Sequence, residues 1–122
     1  ARGETHDDSK LLEPERSIFT KFSRKLLSNQ YGDADYERNK RLMKTALDHH
    51  YAKNSHHPEH YGDLGVNGMD LLDVIEMLID WKAASKRSPD GDIKRSIDLC
   101  CKKYKIEPQL MQILINTAER YL

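Results

Sequence analysis

Five of the six histidines of this 122-residue chain lie within twelve positions, between His49 and His60. Neutral imidazole is the commonest metal ligand in proteins, and borderline divalent ions favour mixed shells of imidazole and carboxylate. The pair His49-His50 ends a predicted helix, and the pair His56-His57 follows after a short connection. Two such pairs can converge on one ion. The alternative is a polar helix end whose histidines cap carbonyl groups or face water.

A second short motif, near the start of the sequence, consists of His6, Asp7 and Lys10. An adjacent His-Asp pair can supply one nitrogen and one oxygen ligand to the same ion. Lys10 follows His6 by about one helical turn, so its ammonium group would lie beside a metal-bound anion. By themselves these residues are equally typical of an exposed surface.

Three acidic residues, Asp73, Glu76 and Asp80, recur at helical spacing in a predicted helix over residues 69–85. Such a stripe beside an apolar face is usually solvated and salt-bridged. Asp80, however, directly precedes Trp81 at the edge of the predicted core, a position from which a carboxylate can face a buried ion.

The elements that must position these residues are all predicted to be helices, because apolar residues recur at helical spacing and no stretch alternates at period two. Continuing the second helix at 100° per residue places His50 at the centre of its apolar stripe and His49 at the edge. Helix starts are predicted near Pro14, Asp35, Met69, Ile93 and Pro108, and breaks at Asn29–Asp35, Pro58, Tyr61–Gly68 and Lys86–Gly91.

The predicted core consists of the inward face of each helix. These faces comprise Ile18, Phe19, Phe22 and Leu26 in the first helix; Leu42, Met43, Ala46 and Leu47 in the second; Leu71, Leu72, Ile75, Leu78, Ile79 and Trp81 in the third; Ile93, Ile97, Cys100 and Tyr104 in the fourth; and Leu110, Ile113, Leu114, Ala118 and Tyr121 in the last.

Composition excludes several classes of protein. The 20 basic and 20 acidic residues balance, which argues against a dedicated nucleic-acid binder. No apolar run approaches the roughly 18–20 residues that span a bilayer. Because Cys100 and Cys101 are adjacent, we expect reduced, structural thiols and a cytoplasmic protein. The length predicts a single domain over residues 1–122.

Taken in order, His6-Asp7, the paired histidines and Asp80 resemble the HD-domain superfamily of metal-dependent phosphohydrolases. The resemblance implies an HD-like, all-α bundle of about five or six helices. His6-Asp7 with Lys10 is similar to the His-Asp-x-x-Lys form of the HD-GYP branch, whose glycine-tyrosine-proline motif is absent here. The superfamily's first histidine lies on a helix that precedes its His-Asp pair, so the resemblance implies either that a segment bearing it is missing or that the metal shell is incomplete.

The chain also resembles an uncharacterised family of short bacterial and phage proteins. That family carries HDxSK near its start, a central run similar to HHxxxNxHHPEHY, and an acidic EMxxDWxAA stretch. Here these motifs are His6 to Lys10, His49 to Tyr61 and Glu76 to Ala84.

The superfamily resemblance implies hydrolysis of a nucleotide or another phosphate ester, with one or two divalent ions among Mn, Fe, Mg, Ni and Zn. His6, Asp7 and Asp80 would hold one ion, and we expect His50 to converge with them. His50, His56 and His57 would hold or complete a second ion. The implied catalytic residues are Asp7 and Lys10. The groups that would orient ligands or face the substrate are His49, His60 and Glu76. The implied partner is a small-molecule phosphate substrate. We expect neither a membrane nor a nucleic acid as a partner, and the chain could form a homodimer.

Two other functions fit the same sequence. The superfamily's fold can hold two irons that activate oxygen, as in inositol oxygenase. A helical binding module without enzymatic activity is the other alternative.

Overall fold

A computed structural model describes residues 2–20 and 34–122, and all regular secondary structure within these ranges is helical. The elements are α1 (Arg2–Thr5), a 3₁₀ segment (Asp8–Leu11), a helical stretch at residues 15–20, α2 (Ala34–Lys53), a second 3₁₀ segment (Pro58–Gly68), α3 (Leu71–Ser85), α4 (Ile93–Lys103) and α5 (Pro108–Tyr121). The prediction of an all-α fold is confirmed. The predicted core positions Phe22 and Leu26 and the start of the turn at Asn29 lie outside the described residues.

None of the helices within the described ranges combines the length and the apolar character that crossing a membrane requires. The chain folds as two compact units, Ala1–Ser55 and His56–Leu122.

In the first unit, the buried face of α2 follows the predicted periodicity. Ala46 is fully buried, and His50, one turn later, is 4% exposed. Asn54 continues the same face just beyond the helix, where its side-chain amide donates to the His50 carbonyl at 2.8 Å. This bond satisfies a carbonyl group that the end of the helix leaves without an intrahelical partner. The predicted central position of His50 is thus confirmed.

In the second unit, each helix starts at a residue suited to that position. Asp70 accepts from the backbone N–H of Asp73, and the Asp73 carboxylate accepts from the Asp70 N–H, which forms a capping box at the start of α3. Asp92 caps α4 by accepting from the Lys94 N–H at 3.0 Å. Pro108 occupies the first turn of α5, where its missing N–H costs nothing.

The core of the second unit joins one face from each of α3, α4 and α5. Its buried members are Leu78, Ile97, Cys101, Leu114 and Ala118. Tyr104, at the end of α4, stacks on Trp81 of α3 with ring centroids 6.4 Å apart. Through these contacts, the face of α3 that carries Leu78 and Trp81 packs into the core.

The predicted core of α3 was wrong for four residues. Their exposed fractions are 73% for Leu71, 53% for Leu72, 44% for Ile75 and 51% for Ile79. The face that packs inward follows the spacing of Val74, Leu78 and Trp81, which is rotated by roughly 100° around the helix axis from the exposed residues. Since apolar residues cover most of the circumference of α3, periodicity alone did not identify the buried face.

Four further positions differ from the predicted core. In α2, Leu42 is 36% exposed. Cys101, not Cys100, is buried, because it follows Ile97 by four residues, whereas Cys100 is half-buried. In α5 the packed face centres on Leu114 and Ala118, so Ile113 and Tyr121 are 53% and 79% exposed.

Both cysteines are free, and burial raises the pKa of each thiol. We expect Cys101→Ala to lower the free energy of unfolding by about 1 kcal/mol, because a buried sulfur and its contacts are lost. Cys100→Ala should cost less and leave any metal-dependent activity intact. Urea unfolding of the two variants measures the difference; an equal or larger loss for Cys100→Ala would contradict the assignment of Cys101 to the core.

Candidate metal centres

In the first unit, a tight turn arranges the side chains that follow His6. The Lys10 N–H donates to the Asp7 carbonyl at 3.0 Å and begins the 3₁₀ segment. This turn buries Ser9, which is 8% exposed, and leaves Lys10 on the surface. Lys10 Nζ then lies 3.1 Å from Asp7 Oδ2, so the ammonium group remains beside the carboxylate.

Glu15, two residues before Ser17 in the helical stretch, is a fully buried carboxylate that accepts three hydrogen bonds. Its Oε1 accepts from Ser9 Oγ at 3.1 Å and from His50 Nδ1 at 2.7 Å. Its Oε2 lies 2.5 Å from His49 Nδ1. Burial by itself raises the pKa of Glu15, but the bonds from His49, Ser9 and His50 together hold this pKa below its ordinary value.

His50 therefore faces a carboxylate on each side of its ring. Nδ1 is bound to Glu15, and Nε2 lies 3.5 Å from Asp7 Oδ1. The ring also packs edge-on against Phe19, with centroids 6.2 Å apart. The predicted proximity of Asp7 and His50 is found within this unit.

The Asp7 carboxylate has a different neighbour at each oxygen. Oδ1 faces His50, whereas Oδ2 lies 3.4 Å from His6 Nε2 and 3.1 Å from Lys10 Nζ. Two ligands of one ion, each about 2.0–2.2 Å from it, lie about 3–4 Å apart. The separations from Asp7 to His6 and to His50 both fall in this range. The nitrogen and oxygen donors fit a borderline divalent ion.

In the second unit, His56 is 1% exposed and lies against two carboxylates of α3. Nδ1 lies 3.9 Å from Glu76 Oε2, and Nε2 lies 3.9 Å from Asp80 Oδ2. Glu76 and Asp80 are four residues apart and share one face of the helix. His57 stacks obliquely on His56, with ring centroids 4.1 Å apart. These four residues form a second cluster of nitrogen and oxygen donors.

Asp73, the first residue of the predicted acidic stripe, has a structural role. It is 1% exposed and accepts from the Tyr61 hydroxyl at 2.6 Å as well as from the Asp70 N–H. The Tyr61 ring lies so close to Gly68 that a Cβ at that position would be 2.6 Å from Tyr61 Cγ. His60 is exposed and packs on the edge of Tyr61. Asp73 thus anchors the second 3₁₀ segment to the start of α3.

The sequence predicted that Asp7 and His50 lie close together, as is found, but did not predict the roles of Glu15, Ser9 and Asn54. One signal pointed to Glu15: it precedes Ile18 and Phe19 by three and four residues and so shares their helix face. Asn54 continues the α2 face in the same way, four residues after His50. That Asp80 joins His6, Asp7 and His50 at one ion stays a prediction.

The helices and these clusters define an all-α protein with two buried histidines, of which His50 is bonded to a carboxylate and His56 lies near two. The model of a family of unknown function, DUF5662, matches residues 1–120, and the chain belongs to this family. Membership of an uncharacterised family was predicted from the sequence motifs. No curated protein and no solved structure matches the chain.

Proposed function

We propose that the chain is a metal-dependent phosphohydrolase of the HD type, acting on a nucleotide or another phosphate ester. The observation that carries the proposal is the environment of His50. Its Nδ1 is bound to the buried Glu15, while its Nε2 lies 3.5 Å from the carboxylate of Asp7. A histidine that binds metal through one nitrogen usually donates the other N–H to a carboxylate or carbonyl in this way.

In the first unit, Asp7 and His50 would hold a divalent ion at Asp7 Oδ1, and His6, beside Oδ2, would extend the set of donors. An ion bound there would lower the pKa of its bound water and polarise a phosphoryl oxygen of the substrate. The ions compatible with these donors are Mn, Fe, Mg, Ni and Zn. In the second unit, His56, His57 and Asp80 would supply further ligands, and Glu76 would orient His56.

Lys10 would provide the positive charge that phosphoryl transfer needs. Its Nζ lies 3.1 Å from Asp7 Oδ2, and its side chain is 42% exposed, so the ammonium group can reach a substrate that approaches Asp7. A cation in this position stabilises the charge that develops on the phosphoryl oxygens. Asp7 would keep the ammonium group in place while binding the ion.

The test begins with elemental analysis of the protein purified without a histidine tag, followed by titration with each of the five ions. We expect at least one ion to bind and to support hydrolysis in a panel of nucleotides and p-nitrophenyl phosphate, with loss of activity on chelation. Binding without hydrolysis, together with oxygen-dependent spectra of the iron-loaded protein, would replace this proposal with oxygen activation. The absence of any metal binding would contradict both enzymatic functions.

A further inference from the structure

The hydrogen bonds around His50 have directions fixed by the chemistry of their donors. Asn54 Nδ2 donates to Ser9 Oγ at 2.6 Å and to the His50 carbonyl at 2.8 Å. Because Ser9 Oγ accepts from Asn54, its own hydrogen is available for Glu15 Oε1, 3.1 Å away. An ionised carboxylate only accepts hydrogen bonds. Glu15 is therefore the acceptor at which this chain of bonds ends.

Two of the three groups around His50 Nδ1 make opposite demands on its hydrogen. Glu15 Oε1, at 2.7 Å, requires a hydrogen on Nδ1. Asn54 Nδ2 lies 3.2 Å away, but its two hydrogens already go to Ser9 Oγ and the His50 carbonyl, so it makes no demand on Nδ1. Ser9 Oγ, at 3.3 Å, would donate to Nδ1 if Glu15 did not take its hydrogen, and so favours a lone pair there. The contact with Glu15 is the shortest of the three, and a carboxylate acceptor makes the strongest bond.

We propose that Glu15 is a positioning residue that selects the tautomer of His50 and thereby leaves Nε2 with the lone pair that binds the ion; the metal part of this role rests on the proposed function. The same carboxylate binds Nδ1 of His49 through its other oxygen. One buried group thus sets the hydrogen positions of two consecutive histidines. Without Glu15, the Ser9 hydroxyl would donate to Nδ1 and move the hydrogen of His50 to Nε2, the nitrogen that faces Asp7.

The test compares two substitutions at Glu15 with a matched exposed control. Glu15→Met removes the acceptor and keeps the side-chain length. Glu15→Gln keeps one acceptor oxygen, which Ser9 and His50 both require, so the amide NH₂ group would face His49. Glu13→Met is the control, because Glu13 is exposed and bonds only its near neighbours in the described part of the chain, Arg16 and Ser17.

Tautomers are read by ¹⁵N NMR of the metal-free full chain at about pH 8, above the ordinary titration range of imidazole. We expect the native His50 to carry its hydrogen on Nδ1 and Glu15→Met to move it to Nε2. Glu15→Gln should leave His50 unchanged and move the hydrogen of His49 instead. Affinity for Zn²⁺, measured by calorimetry, should fall about 10–100-fold in Glu15→Met, less in Glu15→Gln, and stay at the native level in Glu13→Met.

The two measurements separate this inference from the proposed function. A native His50 with its hydrogen on Nε2 would overturn the inference without any variant, even if the Glu15 substitutions fail to fold. Native Zn²⁺ affinity in a folded Glu15→Met chain would also overturn it and leave the proposed function intact. If the native chain binds no metal, the proposed function fails, while the tautomer spectra still decide whether Glu15 orients His50.

Discussion

His50→Gln is expected to lower the affinity of the chain for a divalent ion by more than about 100-fold, beyond the range typical of residues that only orient a ligand. The substitution removes the ring nitrogen that lies 3.5 Å from Asp7 Oδ1. It keeps a side-chain N–H that can donate to Glu15, so the buried carboxylate does not lose its partner. Calorimetric titration with the ion that binds the native chain most tightly measures the effect.

Asp48→Asn is the control for His50→Gln, because Asp48 lies on the same helix and pairs with Lys44 on the surface. Exposed pairs of this kind contribute about 0–1 kcal/mol, so this variant should bind metal like the native chain. Circular dichroism verifies that both variants remain helical. Native affinity in a folded His50→Gln chain would show that the ion, if one binds, is held by other residues.

Ile97→Ala is expected to reduce the free energy of unfolding by about 2–5 kcal/mol, the usual range for emptying a well-packed aliphatic position. Ile97 is fully buried among Leu78, Cys101 and Leu114. Ile79→Ala makes the same chemical change on α3, where the side chain is 51% exposed. Its effect should stay within about 0.5 kcal/mol.

Urea denaturation of the two isoleucine variants, followed by circular dichroism, gives both free energies under the same conditions. The difference between them measures burial, because the side chain removed is the same. A comparable loss at Ile79 would show that the apolar stripe of Leu71, Leu72, Ile75 and Ile79 is covered in solution.

In α2 a single face of the helix carries the apolar residues, and there helical periodicity predicted the positions of the histidines in the first-unit candidate site. His50 was placed on the buried face of α2 because it follows Ala46 by four residues, and His49 was placed at the edge, where its side chain is 26% exposed. Glu15 was not predicted, because a carboxylate in a charged stretch of sequence is usually solvated. Its burial becomes favourable through the donors Ser9, six residues earlier, and His49 and His50, which come from a distant part of the sequence.

Helical periodicity did not identify the buried face of α3, and the reason is physical. Leu71, Ile75 and Ile79 form as regular a stripe as Val74, Leu78 and Trp81, so spacing cannot distinguish the two faces. The choice depends on which face meets α4 and α5, and that is a property of tertiary packing. The capping role of Asp73 was not predicted, because its capping bond and its bond to Tyr61 depend on the backbone of the preceding segment.

The contacts of Tyr61 have a consequence for how sequences of this family can diverge. A residue with a Cβ at position 68 would collide with the Tyr61 ring, and a shorter side chain at position 61 would leave the buried Asp73 carboxylate without its hydroxyl donor. Substitution at one of these positions therefore becomes tolerable only after a change at another. We expect positions 61, 68 and 73 to covary among DUF5662 proteins, whereas exposed neighbours such as Asp63 and Asn67 should vary independently.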